Sequence, residues 1–344
     1  MKFDFVIGNP PYQDETLGDN KGYAPPVYHK FLEESYKVAN AVEMIHPARF
    51  LFNAGSTPKA WNEQMLSDPH IKVKLYEQDS SKVFSNTDIK GGVAVTYRDG
   101  KKKCGAIGTF TPYDELNSAM KKISENGTFS PLSKIVVTSY AYHFTNQMHV
   151  ENPDVKSRMS KGHEFDLKSN IFQKLTDIFG DSCPDDGHVY IQILGRDKSG
   201  RAYKFVRRDY INEVENLDKY KIFLPKANGT GALGEVLSSP IVAGPAIGST
   251  ETFFSVGSFA TEDEAFAALK YIKTKFTRAL LGVLKTTQDI TPDKWRMVPL
   301  QDFTPNSDID WTGSVAEIDQ QLYRKYGLSD NEIAFIETKV KEMI

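Results

Sequence analysis

Cysteine is nearly absent. The 344 residues include two, Cys104 and Cys183, too few for a disulfide framework or a four-ligand metal site. Free buried thiols and no metal centre are the expectation. His143 and His149 lack metal-ligand companions at useful spacing and read as structural or surface residues. Long apolar runs are also missing, and no stretch approaches the roughly 20 residues a membrane helix requires. No charged-then-apolar leader opens the chain, so a cytoplasmic address without a membrane partner is expected. Neither charge sign dominates: 42 Lys+Arg against 45 Asp+Glu give a net charge of -3. That value argues neither for nor against nucleic acid, because a basic face can sit on a near-neutral protein. Internal repeats and low-complexity tracts are absent. What remains is an ordinary globular composition, 40% apolar and 12% aromatic, in a chain long enough for two domains.

Residues 1–112 alternate strand and helix. Phe3 to Gly8 is a near-continuous apolar run, expected as a strand buried on both faces of a parallel sheet. Helical spacing runs from Tyr28 to Val42, followed by a short strand to Ile45, a helix over Trp61 to Leu66 and a strand over Ile71 to Tyr76. Ile89 to Tyr97 and Lys103 to Phe110 flank Asp99-Gly100 as a hairpin. This order predicts an α/β fold, the second half of a doubly wound sheet. Residues 113–300 read as an α+β domain. It has helices at Tyr113 to Ser124, Phe165 to Phe179 and Glu262 to Leu284, and strands at Lys134 to Tyr142, Val189 to Leu194 and Tyr203 to Val206. Asn146 to His163 reads as loop, and Lys226 to Ser239 is rich in Gly and Ser. A helical tail, 301–344, carries capping boxes at Ser314/Glu317 and Ser329/Glu332, like the one at Thr261/Glu264. Trp295 and Trp311 are expected to pack this tail against the body.

The first strand runs directly into Asn9-Pro10-Pro11-Tyr12. Each position has a job. The prolines remove backbone donors and restrict their own and the preceding residue's dihedrals, so the turn is stiff. Its free carbonyls and the Asn9 side chain can then hold an exocyclic amine, and Tyr12 is placed to stack on a base swung out of a duplex. A plain tight turn is the competing reading.

This tetrapeptide resembles the catalytic motif of the gamma class of adenine-N6 DNA methyltransferases, found in type II and type IIG restriction–modification systems. Tyr28-His29-Lys30-Phe31-Leu32-Glu33 resembles the helix after that class's catalytic turn, and Val42 through Leu51 its next strand. Lys82-Val83-Phe84, with Gly92 to Tyr97 behind it, resembles the segment whose phenylalanine packs on the flipped adenine. The stretches Tyr220–Gly229, Thr252–Ala265, Lys285–Pro299 and Leu322–Glu337 resemble the family's target-recognition region and its carboxyl terminus. The resemblance implies an incomplete Rossmann-like methyltransferase sheet followed by an α+β target-recognition domain. It implies that Asn9 and the Pro10 carbonyl bind the adenine amine, that Pro11 shapes the turn, and that Tyr12 and Phe84 sandwich the ring. Phe84 reads equally well as a core aromatic. S-adenosylmethionine is the implied methyl donor and double-stranded DNA the implied partner.

In that class the donor-binding segments precede the catalytic turn, whereas two residues precede Phe3 here. The expectation is therefore a catalytic half whose donor site is supplied by a missing or partner segment. The Phe3 to Ile7 strand then becomes an edge that another subunit, an unusual element or an upstream segment must cover. A permuted order would instead need a donor loop downstream, for which Val242 to Thr250 is the best candidate.

Charge supports DNA contact. Arg196, Lys198, Arg201, Lys204, Arg207 and Arg208 crowd one stretch with Asp197 the only acid, interleaved with Tyr203 and Phe205. Lys273, Lys275 and Arg278 lie on a helix, and Lys101 to Lys103 follow a turn; solvated faces are the plainer reading. Asp154, Asp166 and Lys168 mimic a metal-dependent nuclease signature. Three readings stand: a methyltransferase component, a DNA-binding or specificity protein derived from one, and, more weakly, a restriction nuclease subunit.

Overall fold

The structure, a computed structural model, describes residues 3–14, 24–85, 88–198, 200–285 and 287–343. It divides into two compact units, Met1–Asn117 and Ser118–Ile344. The tail at 301–344 belongs to the second. Thr286, within one of the family-like stretches, lies outside the described residues.

The first unit holds β1 (Phe3–Gly8), α1 (Tyr28–Val38), β2 (Ala39–Pro47), α2 (Lys59–Ser67), β3 (Ile71–Glu77) and β4 (Val93–Asp99). The strands form one sheet in the order β1-β2-β4-β3. β1 pairs parallel with β2, and β4 lies antiparallel between β2 and β3. Helix α1 stops at Val38, not Val42, and the chain enters β2 at once, with Ala39 extended at φ -140° and ψ 151°. From there burial alternates, with Val42, Met44 and His46 facing inward. Ladder bonds to β1 and β4 outweigh the weak helical preference of Ala-Asn-Ala-Val.

The hairpin expected around Asp99-Gly100 does not form. Both edges of β4 are already taken by β2 and β3, leaving no edge for residues 103–110, and Gly105 and Gly108 sit at positive φ. That segment runs irregularly, and Ile107 and Phe110 pack on the core. Cys104 there is half-buried and Cys183 exposed, so neither is the buried thiol expected.

One face of this sheet is covered. Val42 and Met44 pack with Tyr28, Leu32, Trp61 and Met65 from α1 and α2, and each fully buried side chain such as Leu32 stabilises by about 1.5–3 kcal/mol. The opposite face is open. Phe3, Phe5, Ile7 and Leu75 are exposed, Ile7 at 74%, and the Phe5 ring stacks on Tyr97 at 6.3 Å. Among the described strands β1 is thus an edge strand with one exposed face, and not a strand buried on both faces.

The second unit begins within α3 (Asp114–Glu125), which leads to β5 (Val136–Val137). Three short helices, α4 (Asn146–Glu151), α5 (Val155–Arg158) and α6 (Ile171–Lys174), precede β6 (Tyr190–Asp197) and β7 (Gly200–Arg207). Then come β8 (Tyr220–Pro225), β9 (Ile241–Ala243), β10 (Ile247–Ser249), β11 (Phe253–Phe259), α7 (Glu262–Lys273), α8 (Lys275–Leu284), α9 (Val315–Lys325) and α10 (Asp330–Lys339). The sheets run β10-β6-β7 and β5-β11-β8-β9.

Several boundaries differ from the sequence pattern. The helix expected over Phe165 to Phe179 shrinks to α6 because backbone at 165–166 pairs instead with His143 and Phe144. Its apolar residues still reach the core: Leu167, Ile171, Phe172, Leu175 and Phe179 are buried together. The long helix from Glu262 breaks at Thr274. Thr274 is extended at ψ 150°, donates its hydroxyl to Tyr271 O at 2.7 Å and accepts from Thr277 N, so it ends α7 and caps α8. Helix α8 is capped a second time from α9, whose Asp319 carboxylate accepts the Lys275 and Phe276 N–H groups. Trp295 is fully buried, and Trp311 packs against Tyr271 and Phe303.

Candidate active site

At the carboxyl end of β1 the chain turns out through Asn9 and Pro11, both exposed, while Pro10 is buried and Tyr12 half-buried. Two successive residues without N–H cannot extend the ladder. Pairing resumes beyond them: Tyr12 O accepts Val27 N at 3.1 Å, and Asp14 N donates to Pro25 O at 2.9 Å. The turn is therefore tied at its far end to the segment entering α1. Among the described residues neither the Asn9 amide nor the Pro10 carbonyl has a hydrogen-bond partner. Two acceptors on adjacent residues are thus without a described partner at the end of a strand.

Phe84 follows a 3-10 turn, Ser80–Lys82, whose cap Asp79 accepts Ser81 N. Phe84 N donates to Ser80 O at 2.8 Å, which sets its ring against Tyr12. The centroids lie 6.3 Å apart with planes at 67°. The structure thus brings together the two rings expected to hold a base, but edge to face. A base between parallel rings needs them about 7 Å apart, twice the roughly 3.5 Å carbon contact, so one ring must swing for a purine to enter. Burial raises the Tyr12 phenol pKa, and its hydroxyl has no partner among the described residues.

The nearby imidazoles are poor bases. His46 is fully buried, set between Thr96 Oγ1 at 2.8 Å and Pro47 O at 3.1 Å, and stacks on Tyr28 at 5.7 Å. Burial pushes its pKa down to about 4, so it is neutral at physiological pH. Burial also lowers the His29 pKa.

In the second unit the basic stripe folds into the β6–β7 hairpin, whose register sets Arg196 opposite Arg201. Its cations divide by partner. The Lys204 ammonium meets Asp181 and, at 3.5 Å, Asp197. Arg207 binds Glu151 at 2.7 Å and Asp209, over the Tyr210 ring. Arg208 binds Asp218 at 2.6 Å and Glu213 at 3.2 Å. Arg196, Lys198 and Arg201 have no carboxylate within ion-pair distance among the described residues. The other basic groups are less available than the sequence suggests. Arg278 is buried and donates to the Lys273 and Lys341 carbonyls, and Lys275 binds Glu337.

The nuclease-like residues do not converge. Asp154 binds Arg158 at 3.2 Å, whereas Asp166 binds His163 and Lys168 at 2.8 and 3.0 Å. Among the described residues no group of three His, Cys, Asp or Glu is placed to hold a metal. The candidate downstream donor loop fares no better. Val242 to Thr250 is built into β9 and β10 with no helix after it, so it is not a permuted donor loop. Among the described residues that stretch offers S-adenosylmethionine no loop-and-helix seat.

A family match falls on the part of the chain that carries this turn. Residues 1–84 match the family described as Eco57I restriction-modification methylase. Within the Eco57I-like segment lie Asn9 to Tyr12, Phe84, α1, α2 and β1 to β3. A stretch of 95 residues is also 30% identical to a Mycoplasma pneumoniae (strain ATCC 29342 / M129 / Subtype 1) protein called an uncharacterized adenine-specific methylase. That match covers 27% of this chain and 22% of the relative's length. Among solved structures, the type IIG restriction endonuclease BpuSI aligns over 98% of this chain and 53% of its own, at 11% identity and TM-score 0.34. The type IIL restriction-modification enzyme MmeI, solved in complex with DNA, aligns over 98% and 56%, at 10% identity and TM-score 0.36. At these scores the likeness carries no inference about residues or activity.

Proposed function

We propose that this chain is the catalytic and target-recognition part of a site-specific DNA adenine-N6 methyltransferase of a restriction–modification system. The observation that carries the proposal is the pair of acceptors at Asn9 and Pro10, unpartnered among the described residues, beside Tyr12 and Phe84, inside the Eco57I-like segment. The amine of adenine is a poor nucleophile because its lone pair is delocalised into the ring. With the base flipped out, the Asn9 side-chain oxygen and the Pro10 carbonyl each accept one amine N–H. This draws the nitrogen toward tetrahedral geometry and turns its lone pair outward. Tyr12 and Phe84 hold the ring plane. The contribution is positioning and preorganised electrostatics, without a covalent intermediate. The donor site lies on a partner subunit or on an upstream segment, which covers the open edge of β1 and the exposed Phe5 and Ile7. In the second unit, the β6–β7 hairpin faces double-stranded DNA. No described helix is long and apolar enough to cross a membrane.

That Val242 to Thr250 builds no donor loop favours one rival, a DNA-binding specificity protein descended from such an enzyme. Methyl transfer decides between them. The chain is incubated with duplex DNA and labelled S-adenosylmethionine, alone and with the neighbouring gene product. Adenine labelling is expected only in the combined reaction, and it disappears in Asn9→Ala. Sequence-specific binding with no transfer in any combination overturns catalysis and leaves the rival.

A further inference from the structure

The basic stripe is not one surface. Its three carboxylate-bound cations are internal ties, for each would have to exchange a fixed anion for a phosphate and leave a carboxylate beside the DNA. The three free ones gather at the hairpin tip, where Lys198 takes a left-handed φ of 55°. Like charges directly opposite one another, as Arg196 and Arg201 are, destabilise a strand pair, and a polyanion removes that cost.

Arg201 also shows where the surface continues. Its guanidinium lies 5.5 Å over the Phe253 ring and donates to Ser239 O at 2.7 Å. Phe253 stands opposite Pro225 in the β8–β11 pair. The next residue is Lys226, whose N–H is bonded to Thr252 O. The Lys226 ammonium lies 5.2 Å over the Tyr140 ring and 3.5 Å from its hydroxyl. No carboxylate lies within ion-pair distance of it among the described residues. Tyr140 is 53% exposed, so the ring holds the ammonium at the surface. A second lysine near that ring, Lys168, is occupied by Asp166 and Glu251. Lys226 and Arg201 are thus two positioned, uncompensated cations at the same end of the β8–β11 pair.

We infer that Arg196, Lys198, Arg201 and Lys226, with Tyr140 as the seat for Lys226, form one surface for the phosphate backbone of duplex DNA, and that Lys204, Arg207 and Arg208 lie outside it. The inference rests on the DNA-directed reading above and extends it to Lys226 and Tyr140, which the basic stripe does not contain.

The test is the salt dependence of duplex binding by the full chain, read by fluorescence anisotropy. Removing one cation that neutralises a phosphate lowers the slope of log K against log salt by about 0.9. Lys226→Gln and Arg201→Gln are each expected to lower the slope by about that much, and Tyr140→Leu to weaken binding in the same direction. Lys204→Gln leaves the slope unchanged. Melting curves equal to wild type exclude misfolding. If the wild type binds but Lys226→Gln and Arg201→Gln keep its slope, or Lys204→Gln lowers it equally, this surface is wrong and the methyltransferase reading is untouched. If the wild type binds no duplex at all, the DNA-directed reading itself falls.

Discussion

Tyr12→Phe asks whether the Asn9-to-Tyr12 turn carries an unsatisfied hydroxyl, as a turn held open for a substrate would. The Tyr12 hydroxyl is buried without a partner among the described residues, and burial raises its pKa. A buried hydroxyl left unsatisfied is penalised by about 1–3 kcal/mol. The ring itself meets Phe84 edge to face at 6.3 Å, a contact that Phe preserves. Removing only the oxygen should therefore stabilise the free protein by about 1 kcal/mol. For a unit of 117 residues that corresponds to roughly 4 °C in melting temperature. Native-state hydrogen exchange of the β2 and β4 amides reads this unit without interference from the other. Slower exchange by roughly fivefold is expected, the equivalent of 1 kcal/mol. Faster exchange in Tyr12→Phe would refute the reasoning, because the hydroxyl would then be making a bond that stabilises the fold. The complementary change, Tyr12→Ala, removes the stacking surface. By the 1–3 kcal/mol that a stacked base contributes, it should weaken capture of 2-aminopurine at the target position by roughly 5- to 150-fold. An unchanged fluorescence response there would count against Tyr12 as a base platform.

Two further predictions concern buried charges in the second unit. Burial pushes the Asp319 carboxyl up to about 6, against the two N–H groups it accepts. A folded pKa above the unfolded one stabilises below about pH 4 and loses that contribution as pH rises through 6. The stability gap between wild type and Asp319→Asn should therefore shrink by up to about 3 kcal/mol between pH 4 and 7, at 1.36 kcal/mol per unit. A gap in urea unfolding that stays constant or widens would mean that the helix cap outweighs burial. Lys221 is fully buried and donates to the Leu217, Lys219 and Gly244 carbonyls at 2.9, 3.0 and 2.9 Å. Lys221→Met fills the space but strands the Lys219 and Gly244 carbonyls, while Leu217 O keeps the Ala246 N–H, and should destabilise by about 2 kcal/mol or more. A loss under 1 kcal/mol in thermal unfolding would show that these carbonyls find other donors.

What the sequence settled by itself was local. The stiffness of Asn9-Pro10-Pro11-Tyr12 follows from two pyrrolidine rings, and the capping boxes at Ser314/Glu317 and Ser329/Glu332 close within four residues. Tertiary structure decided whatever depends on a distant partner. Helix α1 yields at Ala39 because β1 and β4 offer ladders, and β4 takes no hairpin partner because β2 and β3 already flank it. Lys204 and Arg207 read as DNA contacts in the sequence, but carboxylates 23 and 56 positions away neutralise them. Lys226 stands apart from the basic stripe in sequence, and the aromatic that seats it, Tyr140, is 86 positions upstream. Dihedral limits and hydrogen bonds within a turn act on neighbours, whereas ladders and ion pairs join residues that only the folded chain brings within reach.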